Sequence, residues 1–130
     1  MKEGKIKDFT DLEIWQLGRK LTSLVYEITK LLLKKAPEEK WIMVEQVRRA
    51  VHSICANIAE AYGRYHFADS LNFLYHARGS LKEVKSFLLL IGSLYPSLED
   101  LCNEGEVIAD RLNVKLNNYI QSTRNRLNKT

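Results

Sequence analysis

Three histidines, two cysteines and a line of short polar side chains are the residues of this chain able to do chemistry. Metal chemistry in a helical protein needs Glu-x-x-His on two helices, or His-Glu-x-x-His on one, so that the ligands share a face. His52, His66 and His76 stand in neither pattern. Some helical ribonucleases carry a His five residues after an Arg; here His52 follows Arg48 by four and Arg49 by three. Helical nucleotide pyrophosphatases hold magnesium with repeated Glu-x-x-Glu pairs, a spacing this chain lacks. Ser53 and Ser80 have no nucleophile motif around them, and there is no Gly-rich phosphate loop. Cys55 and Cys102 are isolated within apolar spacing, as free thiols of a reduced core are. The expectation is a non-enzyme with no catalytic residue, no metal site and no cofactor.

What remains is a polar line. Gln46, Arg49, Ser53, Asn57, Glu60 and Arg64 recur at helical steps, nearly opposite an apolar stripe of Val44, Val47, Val51, Ile54, Cys55, Ile58 and Tyr62. A solvent face is normally rich in long Lys and Glu. This one is short and mixed, with Ala50, Ala56 and Ala61 at its margins. Another helix, another subunit or a ligand must come close to it. If Ser53 and Asn57 are buried, each needs a hydrogen-bond partner, and a buried Asn between helices can fix register and oligomeric state. The arginines have a plainer account: Glu45 with Arg49, and Glu60 with Arg64, are four apart and can pair along the helix for a few tenths of a kcal/mol.

The elements that position these residues are helical. Thr10 with Glu13 has capping-box spacing, and Leu12, Trp15, Leu17, Leu21, Leu24, Ile28, Leu31 and Leu32 keep helical steps to about Leu33. Pro37, Glu38 and Glu39 suit the start of a second helix, which carries the two-faced run and stops near a cap at Gly63. A third opens near Asp69 with a main stripe of Phe67, Leu71, Leu74, Leu81, Val84, Leu88, Ile91 and Tyr95. Beside that lies a second stripe of Phe73, Ala77, Ser80, Phe87, Leu90 and Leu94, so this helix is central or buried on two sides. Gly79 at mid-helix costs about 1 kcal/mol relative to Ala, which a close backbone crossing would explain. Pro96 ends the third helix, and Ser97 with Asp100 is spaced to cap a fourth, which runs nearly to the end with weakening at 103–105. The arrangement predicted is one domain over 1–130, an all-α antiparallel up-and-down four-helix bundle.

The longest purely apolar run, Phe87–Ile91, is far short of the ~20 residues that span a bilayer, and no apolar signal region follows the charged N-terminus. No membrane association and a cytoplasmic location are expected. The net charge of +4 is unevenly placed. Residues 111–130 hold Arg111, Lys115, Arg124, Arg126 and Lys129 with no acid. Such a patch suits RNA or DNA phosphates; the alternative is a solubilising end that complements a helix dipole.

Three motifs carry a family resemblance: Phe9-x-x-Leu-x-Ile-Trp15, the run over 46–64, and Phe73-Leu-x-x-Ala-x-Gly-Ser-Leu-x-Glu83. In that order they resemble the bacterial four-helix bundle proteins encoded in intervening sequences of 23S ribosomal RNA genes. The resemblance covers roughly 8–125. Ala61 departs from the family's usual Gly, and the 34–40 link is Lys-rich. It implies a homopentamer with a central channel and no established catalysis. A related bundle, the accessory variability determinant of diversity-generating retroelements, is pentameric and basic and acts with a reverse transcriptase and RNA. The expected function is thus a non-enzymatic nucleic-acid-binding or ribonucleoprotein accessory protein. The alternative is a scaffold that docks a protein such as a reverse transcriptase. Phosphate contacts are expected from Arg111, Lys115, Arg124, Arg126 and Lys129, then Arg48, Arg49 and Arg64. Subunit contacts are expected from Ser53, Asn57, Glu60, Phe73, Gly79, Ser80 and Phe87.

Overall fold

The computed structural model describes residues 5–129. Four helices follow in order: α1 (Glu13–Lys35), α2 (Glu45–Gly63), α3 (Phe67–Leu94) and α4 (Glu99–Asn128). Each packs on its chain neighbours and α4 returns to α1, which closes an antiparallel four-helix bundle. No strand occurs among the described residues. The core is the set of apolar stripes turned inward: Leu21, Ile28 and Leu32 of α1, Ile54 and Ile58 of α2, Leu74, Leu81, Leu88 and Ile91 of α3, and Leu112, Leu116 and Ile120 of α4. Each such side chain contributes about 1.5–3 kcal/mol by leaving water, set against the entropy of ordering the chain.

The helix ends differ from the sequence-based expectation. Thr10 does not cap α1. It lies in a 3-10 turn, Phe9–Asp11, whose Asp11 carboxylate accepts the backbone N–H of Lys7 (2.9 Å) and of Asp8 (3.2 Å). Thr10 contributes its carbonyl instead, to Gln16 Nε2 at 3.0 Å, and Phe9 meets Trp15 edge-on at 5.3 Å. These contacts hold the entry to α1 without a hydroxyl cap. The second helix does not begin as an α-helix at Pro37. Residues Lys40–Val44 form a π-helical turn, with the Glu45 N–H bonded to the Lys40 carbonyl five residues back. The extra residue in that turn shifts the phase, so Met43 and Val44 face inward while Trp41 (67% exposed) and Ile42 (65%) face out.

Gly63 is the last residue of α2 and has no left-handed φ; the chain leaves the helix through extended Arg64. Asp69 lies in the first turn of α3, which opens two residues earlier after His66. Ser97 sits in a 3-10 turn, Pro96–Leu98, and makes no cap; Glu99 and Asp100 answer the α4 dipole instead. α4 runs unbroken through 103–105. There the close approach expected at Gly79 is found: a Cβ on Gly105 would come 2.8 Å from Leu88 Cδ1. On α1, a Cβ on Gly18 would come 2.8 Å from Cys55 Sγ. Gly79 itself faces open space, so no crossing within this chain accounts for it.

Candidate subunit and nucleic-acid interfaces

The polar line of α2 meets α3 along the bundle's outer face. Ser80 Oγ donates to Ser53 Oγ at 2.8 Å, and Asn57 Nδ2 donates to the Ser53 carbonyl (2.8 Å) and Oγ (2.9 Å). The partner for Ser53 is therefore the neighbouring helix. All three side chains are only half-buried, so the cluster lies at the floor of a shallow seam rather than within the core. Ala50 and Ala61 are buried toward the core, whereas Ala56 and Gly79 are exposed along the seam. Toward the start of α2 and the end of α3 lie the exposed Ile42 of the π turn and the exposed Leu90 and Leu94. Phe87 is half-buried one turn from Leu90. At the other end, Glu60 pairs with Arg64 at 2.6 Å, and the Arg64 guanidinium sits 4.7 Å over the half-buried Phe73 ring. The seam therefore has small polar residues at its centre, exposed apolar residues toward one end and an ion pair with an aromatic ring at the other.

The cations divide by their partners. Arg48 bridges α2 to α1: Nε donates to Thr29 Oγ1 at 2.9 Å, and the guanidinium lies 4.3 Å over the Tyr26 ring. The Tyr26 hydroxyl shares a 2.7 Å hydrogen bond with His52 Nε2, which gives this histidine a structural partner. Arg111 and Lys115 both reach Glu13, at 3.1 and 3.6 Å, and fasten α4 to the start of α1. Arg124 Nε donates to the Tyr75 hydroxyl at 2.9 Å, and Arg78, also beside that ring, donates to Asn117 Oδ1 at 3.1 Å. Among the described residues, no ion pair engages Arg49, Arg126 or Lys129, and all three are exposed. The Glu45–Arg49 pair that helical spacing allows is not formed.

Sequence reasoning missed the short link between α2 and α3. Tyr65 is 91% exposed there, with its ring 4.9 Å from that of His66 and nearly perpendicular to it. An open hollow of about 560 Å³ is lined by Tyr65, His66, Phe67, Ala68 and Leu127. The signal was an aromatic pair directly after a helix stop, where no core face needs it.

No grouping of His, Cys, Asp and Glu able to hold a metal occurs among the described residues. Both thiols are free. Burial pushes the Cys102 thiol up to about 11, and burial likewise raises that of Cys55. Neither is a ready thiolate. No helix among the described residues is long and apolar enough to cross a membrane.

A closed ring of four antiparallel helices, bearing a polar seam along one outer face, defines an all-α bundle protein. Residues 10–126 match the 23S rRNA-intervening sequence protein family, and the chain belongs to that family. No curated protein matches the chain.

Proposed function

We propose that this bundle is a non-enzymatic, self-associating protein that binds RNA or DNA through phosphate contacts. The observation that carries the reading is the end of α4, where Arg126 and the following Lys129 make no ion pair among the described residues and the nearest chain-mates in sequence include no acid. Leu127 between them lines the hollow beneath the exposed Tyr65, so cations and an accessible ring share one end of the bundle. Arg49, exposed on α2, likewise makes no ion pair among the described residues. Arg111, Lys115, Arg124, Arg48 and Arg64 already serve intramolecular contacts, which makes them weaker phosphate ligands than their positions in sequence suggested.

Self-association is supported by the seam itself. Gly79 faces open space at mid-helix, and Leu90, Leu94, Trp41 and Ile42 are exposed near one end. A second copy that covered them would account for both. The number of copies we propose is five, the count the family resemblance implies, in a cytoplasmic setting.

The test is fluorescence anisotropy of labelled RNA and DNA oligonucleotides against salt. Each phosphate contact should steepen the fall of log K with log salt by about 0.7 for single strands and 0.9 for duplex. Absent or salt-independent binding at about 50 mM salt would sink the reading. The same exposed apolar residues favour a second reading, a scaffold docking a protein such as a reverse transcriptase. Reversing charge at Arg126 and Lys129 separates the two. Nucleic-acid binding would fall with the oligomer intact in the first case, while partner docking would be unchanged in the second. These positions are cleaner than Arg124, whose loss would also release Tyr75.

A further inference from the structure

We infer that the α2–α3 link is a stacking site for unpaired nucleobases, so that the protein prefers single-stranded nucleic acid to duplex. This rests on the nucleic-acid reading above and narrows it to a strand type and a named ring. Tyr65 carries the argument. It is 91% exposed, yet it lies in a three-residue link, 64–66, held at both ends by helices. A large ring gains nothing for folding when left in water, since its stabilising value comes from burial. The short link limits where the ring can go: the His66 ring meets it edge-on at 4.9 Å and 83°, and the preceding Arg64 is engaged by Phe73 and Glu60. An accessible aromatic face is what base stacking requires, and every base offers a π-face whatever its sequence.

The hollow next to the ring has the size and chemistry for a base to enter. At about 560 Å³ it lies within the usual range for small-ligand sites, and Phe67, Ala68 and Leu127 give it apolar walls. Arg126 and Lys129 bracket Leu127 in sequence at the end of α4, are exposed and make no ion pair among the described residues, so they are available to phosphates of a strand whose base enters the hollow. Charge complementarity therefore favours a polyanion over an apolar peptide. A duplex keeps its bases stacked on one another and would offer this site only its phosphates. An unpaired strand can use both the ring and the cations.

The experiment uses the full chain and a labelled oligonucleotide of about 20 residues, as RNA and as DNA, each single-stranded and annealed. The expected result is tighter binding of the single strand. Tyr65→Ala should weaken it on the order of tenfold and leave duplex binding and the salt slope unchanged. Tyr65→Trp should retain the preference. Arg126→Glu with Lys129→Glu should weaken both forms and flatten the slope. An unchanged melting temperature for Tyr65→Ala, expected from its exposure, shows that any loss is local; if that variant proves unstable, Tyr65→Ser with circular dichroism replaces it. Salt-sensitive binding that ignores Tyr65, or that favours duplex, overturns the stacking site while leaving the nucleic-acid reading standing. No binding of any oligonucleotide by the unaltered chain overturns both.

Discussion

At the end of the bundle remote from Arg126 and Lys129, the Tyr95 hydroxyl donates a 2.5 Å hydrogen bond to Glu39 Oε2 and joins the end of α3 to the approach to α2. That hydrogen bond to a carboxylate is the main reason the Tyr95 phenol is raised from 10.0 to about 12. The folded state therefore holds the phenolic proton more tightly than the unfolded chain does. The stabilisation is fully present below about pH 10 and is lost as pH rises through 10 toward 12. Melting temperature against pH should fall over that window, and Tyr95→Phe should remove this part of the fall. A second test at the same scale concerns Thr29, which is buried and accepts from Arg48 Nε. Thr29→Val keeps the shape but removes the acceptor. It should cost about 0.5–1.5 kcal/mol by urea denaturation, and less if water reaches Arg48. The hydroxyl of a lone Thr on an apolar stripe says nothing in sequence about an arginine nineteen residues away, so this clamp was not legible.

At the scale of the helices, two mid-helix glycines should respond oppositely to one substitution. Gly79→Ala meets no neighbour and should stabilise the isolated chain by about 0.5–1 kcal/mol through helix propensity alone. Gly105→Ala places a Cβ 2.8 Å from Leu88 in the packed core, where overpacking costs about 1–3 kcal/mol and outweighs the propensity gain. Thermal melts of both variants, at a dilution where light scattering gives the mass of one chain, decide the signs; equal shifts would contradict this packing. The helices themselves were legible because their apolar residues repeat at three and four, and those stripes are the buried ones. Their starts were not. Thr10, Pro37 and Ser97 each fit a local start signal, yet Thr10 and Ser97 lie in 3-10 turns, and Pro37 lies in a turn ahead of the π-helical Lys40–Val44. Such ends are set by where the preceding helix delivers the chain, a tertiary matter.

For the whole molecule, the proposed assembly predicts that Leu90→Glu combined with Leu94→Glu lowers the mass seen by light scattering without unfolding the chain, because both side chains are exposed in it. An unchanged mass would remove the α2–α3 seam from the interface. Residue pattern alone determined the all-α class, the four helices, the core stripes and, through motifs in order, the family. Helical periodicity is local, and a buried face leaves its mark on every turn. Only the folded bundle decided which polar groups meet. Ser53 reaches Ser80, Arg48 reaches Thr29, and Arg111 and Lys115 reach Glu13 across pairs of helices, so five basic residues near the C-terminus are not equivalent. Charge counts are blind to partners supplied from distant sequence. Among the described residues Arg126 and Lys129 are left without an ion pair, next in sequence to the Leu127 that shares a hollow with the exposed Tyr65.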